Sequence, residues 1–426
     1  MNDGEHPLSQ TDCELLEKAL RLVPAGLDPL ALATALRRQL PAELARRAAE
    51  LASLRERSRA RFPSGELRWL TRRGLEQSTR ECVARERARR FAELEPGALV
   101  HDATCGLGAD ALALSQAGLR VLASDRDPTL AWCARRNLAA SANPNCVFVA
   151  DASFRPSSEA LLLLDPDRRA TRGADVRARA LDPAGWSPNP RAIAQRLARA
   201  RGACIKLPAG MDIEHCPPEW VEERPARWQW VSAEGELCEV NLWAGTLAGP
   251  SSELGAREVV RIPKTGPTRR WSARPRVVVS LTPAEVSKIL WIADPDPAVV
   301  RSGLVGALAS ELGLAPLAGQ CAYLGGREQP CTDLARSWRV LDQSSADPRA
   351  VRRMLAARDI GPVQVLKRGH PEPAEVLQRQ YSAKGAQRGF VMVARLDAGH
   401  RAFLVAPADG AGLVGDEGFE PPTSSL

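Results

Sequence analysis

Apolar positions in the first sixty residues recur at helical spacing. Leu15, Leu16, Ala19, Leu20 and Leu22 mark a first helix, which Pro24-Ala-Gly26 ends. A second helix is expected over 29–39. A third is expected from Pro41 to about Arg59, with its Arg and Glu residues forming a solvated face. From Leu75 the pattern changes. Ser78-x-x-Glu81 has the form of a capping box and predicts a helix to about Phe91. Short apolar runs then alternate with helical stretches. Strands are expected at Leu99–Asp102, Arg120–Ser124, Cys146–Val149, Leu161–Leu164 and Ala203–Leu207. Helices are expected between them, at about Asp110–Gln116, Pro128–Ala140 and Pro190–Arg201. The unbroken apolar run Leu161–Leu164 fits a strand buried on both faces. Trp228–Ser232 and Leu237–Trp243 flank Glu234-Gly235 and predict a hairpin.

Strands alternating with helices imply a parallel sheet, so the central part is expected to be a doubly wound α/β, Rossmann-like domain. Gly249–Gly255 is rich in Gly, Pro and Ser and reads as a linker. Beyond it a strand at Arg276–Ser280 and a helix at Ala298–Leu312 are expected. An α+β unit closes the chain: helix Arg349–Arg358, strand Val363–Lys367, helix Pro373–Gln380, and strands Phe390–Arg395 and Ala402–Leu404. The expected organisation is a helical region over 1–75, an α/β domain over 76–248, a connecting α/β region over 256–346 and the α+β domain over 347–408. The Pro-rich tail 409–426 is expected to be disordered, and it resembles the translation of non-coding sequence.

Composition narrows the function classes. A chain of 426 residues exceeds what one core usually holds, so two or three domains are expected. No run of eighteen apolar residues occurs, so no membrane span is expected. The acidic, polar start Met-Asn-Asp-Gly-Glu-His lacks the form of a secretory signal, and a cytoplasmic protein is expected. The ten cysteines include no C-x-x-C pair, which argues for reduced, buried thiols and against a metal site. A net charge of +7 permits a polyanionic partner such as RNA. Arginine is abundant throughout, so charge alone does not decide.

The chemistry concentrates in Asp102-Ala103-Thr104-Cys105-Gly106-Leu107-Gly108-Ala109-Asp110. A strand ending in an acid, a glycine turn and then a helix lets backbone approach a ligand closely and offers N–H groups to an anion. A tight turn without a ligand would read similarly. Asp125 ends the second strand, where an acid accepts hydrogen bonds from ribose hydroxyls; Asp127, before Pro128, suits helix capping better. Gly106-x-Gly108-x-x-Ala111 also fits a nicotinamide-dinucleotide fingerprint. Three acids separate the two possibilities. Asp102 precedes the glycines, Asp151 follows the third strand, and Asp165-Pro166 ends the fourth, all as in methyltransferases.

Leu99–Asn137 resembles the core of the class I methyltransferases, closely that of trimethylguanosine synthase and its bacterial relatives. Residues 60–405 resemble a bacterial family of such enzymes that carries a C-terminal THUMP-like domain. The matching segments include 70–79, 102–127, Leu164-Asp-Pro-Asp-Arg-Arg169, 230–237, 294–304 and Val365-Leu-Lys-Arg-Gly369. The resemblance implies an S-adenosyl-L-methionine cofactor and a module related to RNA-binding domains. Cofactor contacts are then expected from Asp102, Ala103, Cys105, Gly106, Gly108, Asp110, Asp125, Arg126 and Asp151, and from Gln77 in the segment that folds over the methionine end. Asp165 and Pro166 are the expected catalytic residues.

At the fourth strand the sequence departs from the amino-methyltransferase pattern of Asp/Asn-Pro-Pro-aromatic. Asp165-Pro166-Asp167-Arg168 lacks the second proline and the ring, which puts methylation of a base amine in doubt. Arg168, Arg169, Arg172, Arg177 and Arg179 come next in a polar loop that suits phosphate oxygens or is simply solvated. Lys367 and Arg368 are further candidate RNA contacts. The expected function is methyl transfer to RNA. A small-molecule or protein acceptor, or a non-catalytic RNA-binding protein, are the alternatives.

Overall fold

A computed structural model of the chain describes residues 8–23, 26–156, 160–167, 185–222, 224–250, 255–397 and 399–408. The tail 409–426 and the arginines at 168, 169, 172, 177 and 179 lie outside the described residues. Two compact units divide the chain. One takes Met1–Arg227 and Val240–Leu254, the other Trp228–Glu239 and Gly255–Leu426.

The first unit opens with helices α1 (Gln10–Leu22), α2 (Pro29–Arg37) and α3 (Ala42–Ser58). Ser9 and Asp28 cap the first two through side-chain oxygens that accept N–H bonds from the first turn. Their apolar faces (Leu16, Leu36, Leu51) join Trp69, Phe91, Leu107 and Leu114 in one buried cluster. A short helix α4 (Arg72–Gln77), capped by Thr71, adds an element that the apolar pattern does not mark. It displaces the expected capping box. Ser78 closes α4 instead, its hydroxyl donating to the Gly74 carbonyl at 2.6 Å. Glu81 accepts the Ser64 N–H at 3.0 Å, and α5 (Glu81–Leu94) starts after Arg80 without a side-chain cap.

The α/β part continues as β1 (Leu99–Asp102), α6 (Ala109–Gln116), β2 (Arg120–Asp125), α7 (Pro128–Leu138), β3 (Asn145–Val149) and β4 (Leu161–Leu164). Next come α8 (Pro190–Arg199), β5 (Gly202–Pro208), β6 (Ala226–Ala233) and β7 (Glu236–Gly245). The strand order is β3-β2-β1-β4-β5-β7, with β1 parallel to both β2 and β4. All four residues of β4 are buried, as their apolar run requires. The order reverses direction between β1 and β4, which opens a crevice outside the carboxyl ends of these strands. Glu234 (φ 54°) and Gly235 (φ 85°) form the two-residue turn between β6 and β7.

In the second unit, β8 (Arg257–Ile262) pairs parallel with β6 and antiparallel with β9 (Arg269–Ala273). A seven-stranded sheet is built from β10 (Trp291–Pro295), β11 (Ala315–Pro316), β12 (Leu324–Gly326), β13 (Ala335–Ser345), β14 (Ile360–Arg368), β15 (Gln387–Leu396) and β16 (Gly399–Pro407). Its order is β11-β12-β10-β13-β16-β15-β14. Alternation along β15 sends Val391 and Val393 into one buried cluster and Met392 and Ala394 into another, so both faces of the sheet are covered. Helices Pro348–Ala356 and Ala374–Tyr381 supply part of the first of these clusters.

Two expectations fail here. Arg276–Ser280 forms no strand: Val277 and Val279 point to solvent, and the chain runs so close to Gly306 that a Cβ there would overlap the Arg276 carbonyl oxygen. The helix expected over Ala298–Leu312 is two helices, Pro297–Arg301 and Val305–Leu312, separated at Gly303 with φ 71°. Among the described residues, no helix is long and apolar enough to cross a membrane.

Candidate functional site

The crevice at the carboxyl ends of β1, β2, β4 and β5 gathers most of the singled-out residues. The glycine turn is pinned from both sides. Ala103 N–H extends the ladder to Leu163 O (3.0 Å), Cys105 N–H donates to Ser124 O (2.9 Å), and Gly108 N–H to Cys105 O (2.7 Å). Gly106 N–H donates to Asp125 Oδ2 at 2.9 Å, and Asp127 N–H to Asp125 Oδ1 at 2.9 Å. The two glycines have different surroundings. A Cβ on Gly106 (φ 53°) would have no atom within 4 Å, so that face is open. A Cβ on Gly108 (φ 84°) would meet Leu138 Cδ1 at 2.8 Å, so that glycine serves the packing of α6 against α7.

Asp102 is buried, and its Oδ2 has no hydrogen-bond partner. Burial, aided by the neighbouring Asp110, pushes its carboxyl up to about 8. A buried carboxyl with an unpartnered oxygen is poised to pair with a cationic ligand group. Asp125 is also raised by burial, against the two N–H bonds that it accepts. Asp127 caps α7, accepting from Thr129 N–H at 2.8 Å. Asp151 is exposed, and hydrogen bonds from the Ser153 N–H and hydroxyl hold its carboxyl low. The Cys105 thiol is raised by burial, which makes it inert.

Asp110 stands in the first turn of α6 and is tied up by cations. Burial would raise it, but Arg87, Lys206 and the Thr79 hydroxyl outweigh that and hold the carboxyl low. Arg87 forms a close ion pair with Asp110. Lys206, on β5, donates to Asp165 Oδ2 at 2.6 Å and Thr79 Oγ1 at 2.6 Å, and reaches Asp110 Oδ2 at 3.3 Å. Asp165 N–H donates to Thr104 Oγ1 at 2.7 Å, so the ends of β1 and β4 are linked directly. Pro166 beside it is buried. Asp167 accepts from Arg126 at 3.0 Å and lies 3.5 Å from Arg73. Gln77, the last residue of α4, is half-buried.

Lys206 and Arg87 are site residues that no sequence motif marks, whereas Thr79 closes the matching segment 70–79. The available signal is a lysine inside the otherwise apolar strand Ala203-Cys-Ile-Lys-Leu207. A charge at such a position must find partners when buried. In the second unit, Lys367 donates to His370 O at 3.0 Å. Arg368 donates to Asp294 Oδ1 at 2.6 Å and to Pro295 O at 3.0 Å, and lies over the Tyr323 ring. Among the described residues, no three His, Cys, Asp or Glu side chains converge as metal ligands.

Residues 335–407 match the profile of the THUMP domain-like family. Two Mycobacterium tuberculosis proteins, from strains CDC 1551 and H37Rv, are each named as an uncharacterized S-adenosylmethionine-dependent methyltransferase. Each is 32% identical to this chain over 343 residues, covering 80% of this chain and 89% of the relative. A crystal structure from Porphyromonas gingivalis W83, assigned as a methyltransferase, aligns with a TM-score of 0.76 over 95% of this chain and 100% of its own. Its identity is 17%, so that likeness is one of fold.

Proposed function

This chain belongs to the S-adenosylmethionine-dependent methyltransferases, and from that premise we propose that its acceptor is RNA. The observation that carries the proposal is the THUMP-like module at 335–407, a relative of RNA-binding domains, in the same chain as the α/β crevice. The net charge of +7 and the arginines that come after Asp165 in the sequence support it.

The bound cofactor supplies a methyl group already activated on a sulfonium. The protein therefore has to bind, orient and exclude water rather than create an electrophile. The residues present fit that ligand. The unpartnered Asp102 oxygen suits the ammonium of its methionine part. The open face of Gly106 leaves room for close approach, and the N-terminal N–H groups of α6 suit its carboxylate. In this assignment Asp125 takes the ribose hydroxyls while holding the glycine turn. Asp151 takes the adenine amine, and Arg126 braces the rim through Asp167. Gln77 flanks the methionine end, Ala103 and Cys105 shape the turn, and Asp110 anchors Arg87 and Lys206 beside it. Asp165, next to Pro166, faces the acceptor.

Mass spectrometry of total RNA nucleosides from cells with and without the gene tests the acceptor. One methylated nucleoside is expected to disappear with the gene. Binding of structured RNA by full-length protein holding S-adenosylhomocysteine should weaken with salt, at a log–log slope of about −0.7 per neutralised phosphate. Arg168→Ala and Arg169→Ala together should flatten that slope by up to about two contacts. Unchanged nucleosides together with no RNA binding near physiological salt would turn the assignment to a small-molecule or protein acceptor.

A further inference from the structure

Two features of the acceptor end are unexplained by methyl transfer in general. One is a lysine where the site meets the acceptor. Lys206 is 7% exposed at its side chain, while Asp165, 2.6 Å from it, is 24% exposed. An incoming acceptor thus meets a carboxylate with an ammonium directly behind it. The other is the residue after Pro166. It is Asp167, engaged by Arg126 and Arg73, so position 167 offers no ring on which a base would stack.

These features discriminate between nucleophiles. A neutral nitrogen becomes a cation as it takes a methyl group, and a fixed ammonium a few ångströms away opposes that. A hydroxyl sheds its proton and develops negative charge on oxygen, which the same ammonium favours. The carboxylate meanwhile provides a place for the proton.

We propose that Asp165 and Lys206 select a hydroxyl acceptor, a ribose 2′-hydroxyl of RNA, with Asp165 taking the proton and Lys206 positioning and charging Asp165. The proposal rests on the RNA assignment above. In the step, the hydroxyl oxygen bonds to the methyl carbon as the carbon–sulfur bond breaks with its electron pair going to sulfur. The hydroxyl proton passes to the Asp165 carboxylate and from there to solvent. Thr79 and Asp110 hold the Lys206 ammonium in place through contacts of 2.6 and 3.3 Å.

The test incubates full-length protein with total RNA from cells lacking the gene and with S-adenosylmethionine labelled in the methyl group. A 2′-O-methyl group blocks alkaline cleavage at its own linkage, so the label is expected in alkali-stable dinucleotides. Label in RNA that alkali releases as mononucleotides overturns the hydroxyl proposal and leaves the RNA assignment standing. No label in RNA overturns both. Lys206→Met should lower labelling by about a hundredfold with S-adenosylhomocysteine affinity largely kept. It should also move the acidic limb of the rate–pH profile upward, because Asp165 without its ammonium keeps its proton to higher pH. Lys206→Arg should restore part of the rate. Wild-type labelling by Lys206→Met, or a lowered rate with an unmoved acidic limb, overturns the role of Lys206. Should Lys206→Met fail to fold, the profile of Lys206→Arg and the alkali assay on the wild type decide.

Discussion

Asp102 shows how one residue couples burial to ligand binding. Its carboxyl is pushed to about 8 in the folded chain, against about 3.9 when unfolded. Between those values the folded state holds more protons than the unfolded one, so this group's contribution to stability is present at low pH and is lost as pH rises toward 8. A cationic ligand group reverses the preference and draws the proton off. Affinity for S-adenosylhomocysteine is therefore expected to rise between pH 6 and 8, with proton release visible by calorimetry in buffers of different ionisation heat. Asp102→Asn should bind more weakly and flatten the dependence. A wild-type affinity that is level across that range, without proton release, would refute the pairing. The neighbouring acids separate by role. Asp125→Ala loses charge-assisted bonds worth roughly 1.5–3 kcal/mol, so cofactor affinity should drop by about tenfold or more. Asp127→Ala loses a helix cap and should cost about 1 kcal/mol of stability with affinity little changed. Equal affinity of Asp125→Ala and wild type, by titration calorimetry, counts against the ribose assignment.

At the scale of elements, the glycine turn makes two opposite forecasts. Gly108→Ala puts a Cβ 2.8 Å from Leu138 in a left-handed conformation. It should destabilise the protein by roughly 2–4 kcal/mol, the sum of backbone strain and overpacking. Gly106→Ala meets nothing in the protein. It should cost only about 1 kcal/mol in urea unfolding and show its main effect as weakened cofactor binding. A reversed order would mean the open face of Gly106 is not where the ligand lies.

The same contrast explains what is legible in the sequence. The alternation of strands and helices from Leu99 to Leu207 is readable because each strand is a short apolar run between helix caps, as Asp127-Pro128 and Asn189-Pro190 illustrate. Signals within a few residues, such as Glu234-Gly235, also carry through. Signals with two possible partners do not. Ser78 and Glu81 fit a capping box by spacing, yet Gly74 and Ser64 lie closer in space and take them. β13 lacks a clean apolar alternation, since most of its residues are only partly buried, and its sequence does not stand out as a strand. The cluster of Thr79, Arg87, Asp110, Asp165 and Lys206 draws on residues up to 127 positions apart, so only the folded chain assembles it.

At the scale of the whole molecule, the second unit depends on one ion pair more than its sheet order suggests. Arg368 on β14 pairs with Asp294 on β10, although β13, β16 and β15 stand between those strands. With the side chains 27% and 24% exposed, Arg368→Ala should cost about 1–3 kcal/mol, read as a lower midpoint in urea unfolding. RNA affinity at a temperature where the variant stays folded should change less than for Lys367→Ala. A wild-type midpoint with lost RNA binding would instead make Arg368 a direct phosphate contact.

The hairpin of β6 and β7 is shared out between the two units, Trp228–Glu239 going to one and Val240–Leu254 to the other. During synthesis, the amino-terminal unit receives its last strand only after a stretch destined for the other has left the ribosome. That stretch then waits, with Trp230 and Val231 still to be covered, until β8 and the strands after it emerge. Expression of either half alone is thus a poor guide to the enzyme: a gene stopped at codon 254 leaves a strand without its lodging, and one begun at codon 255 lacks β6. A split version that reassembles would have to carry the break inside a loop of one unit.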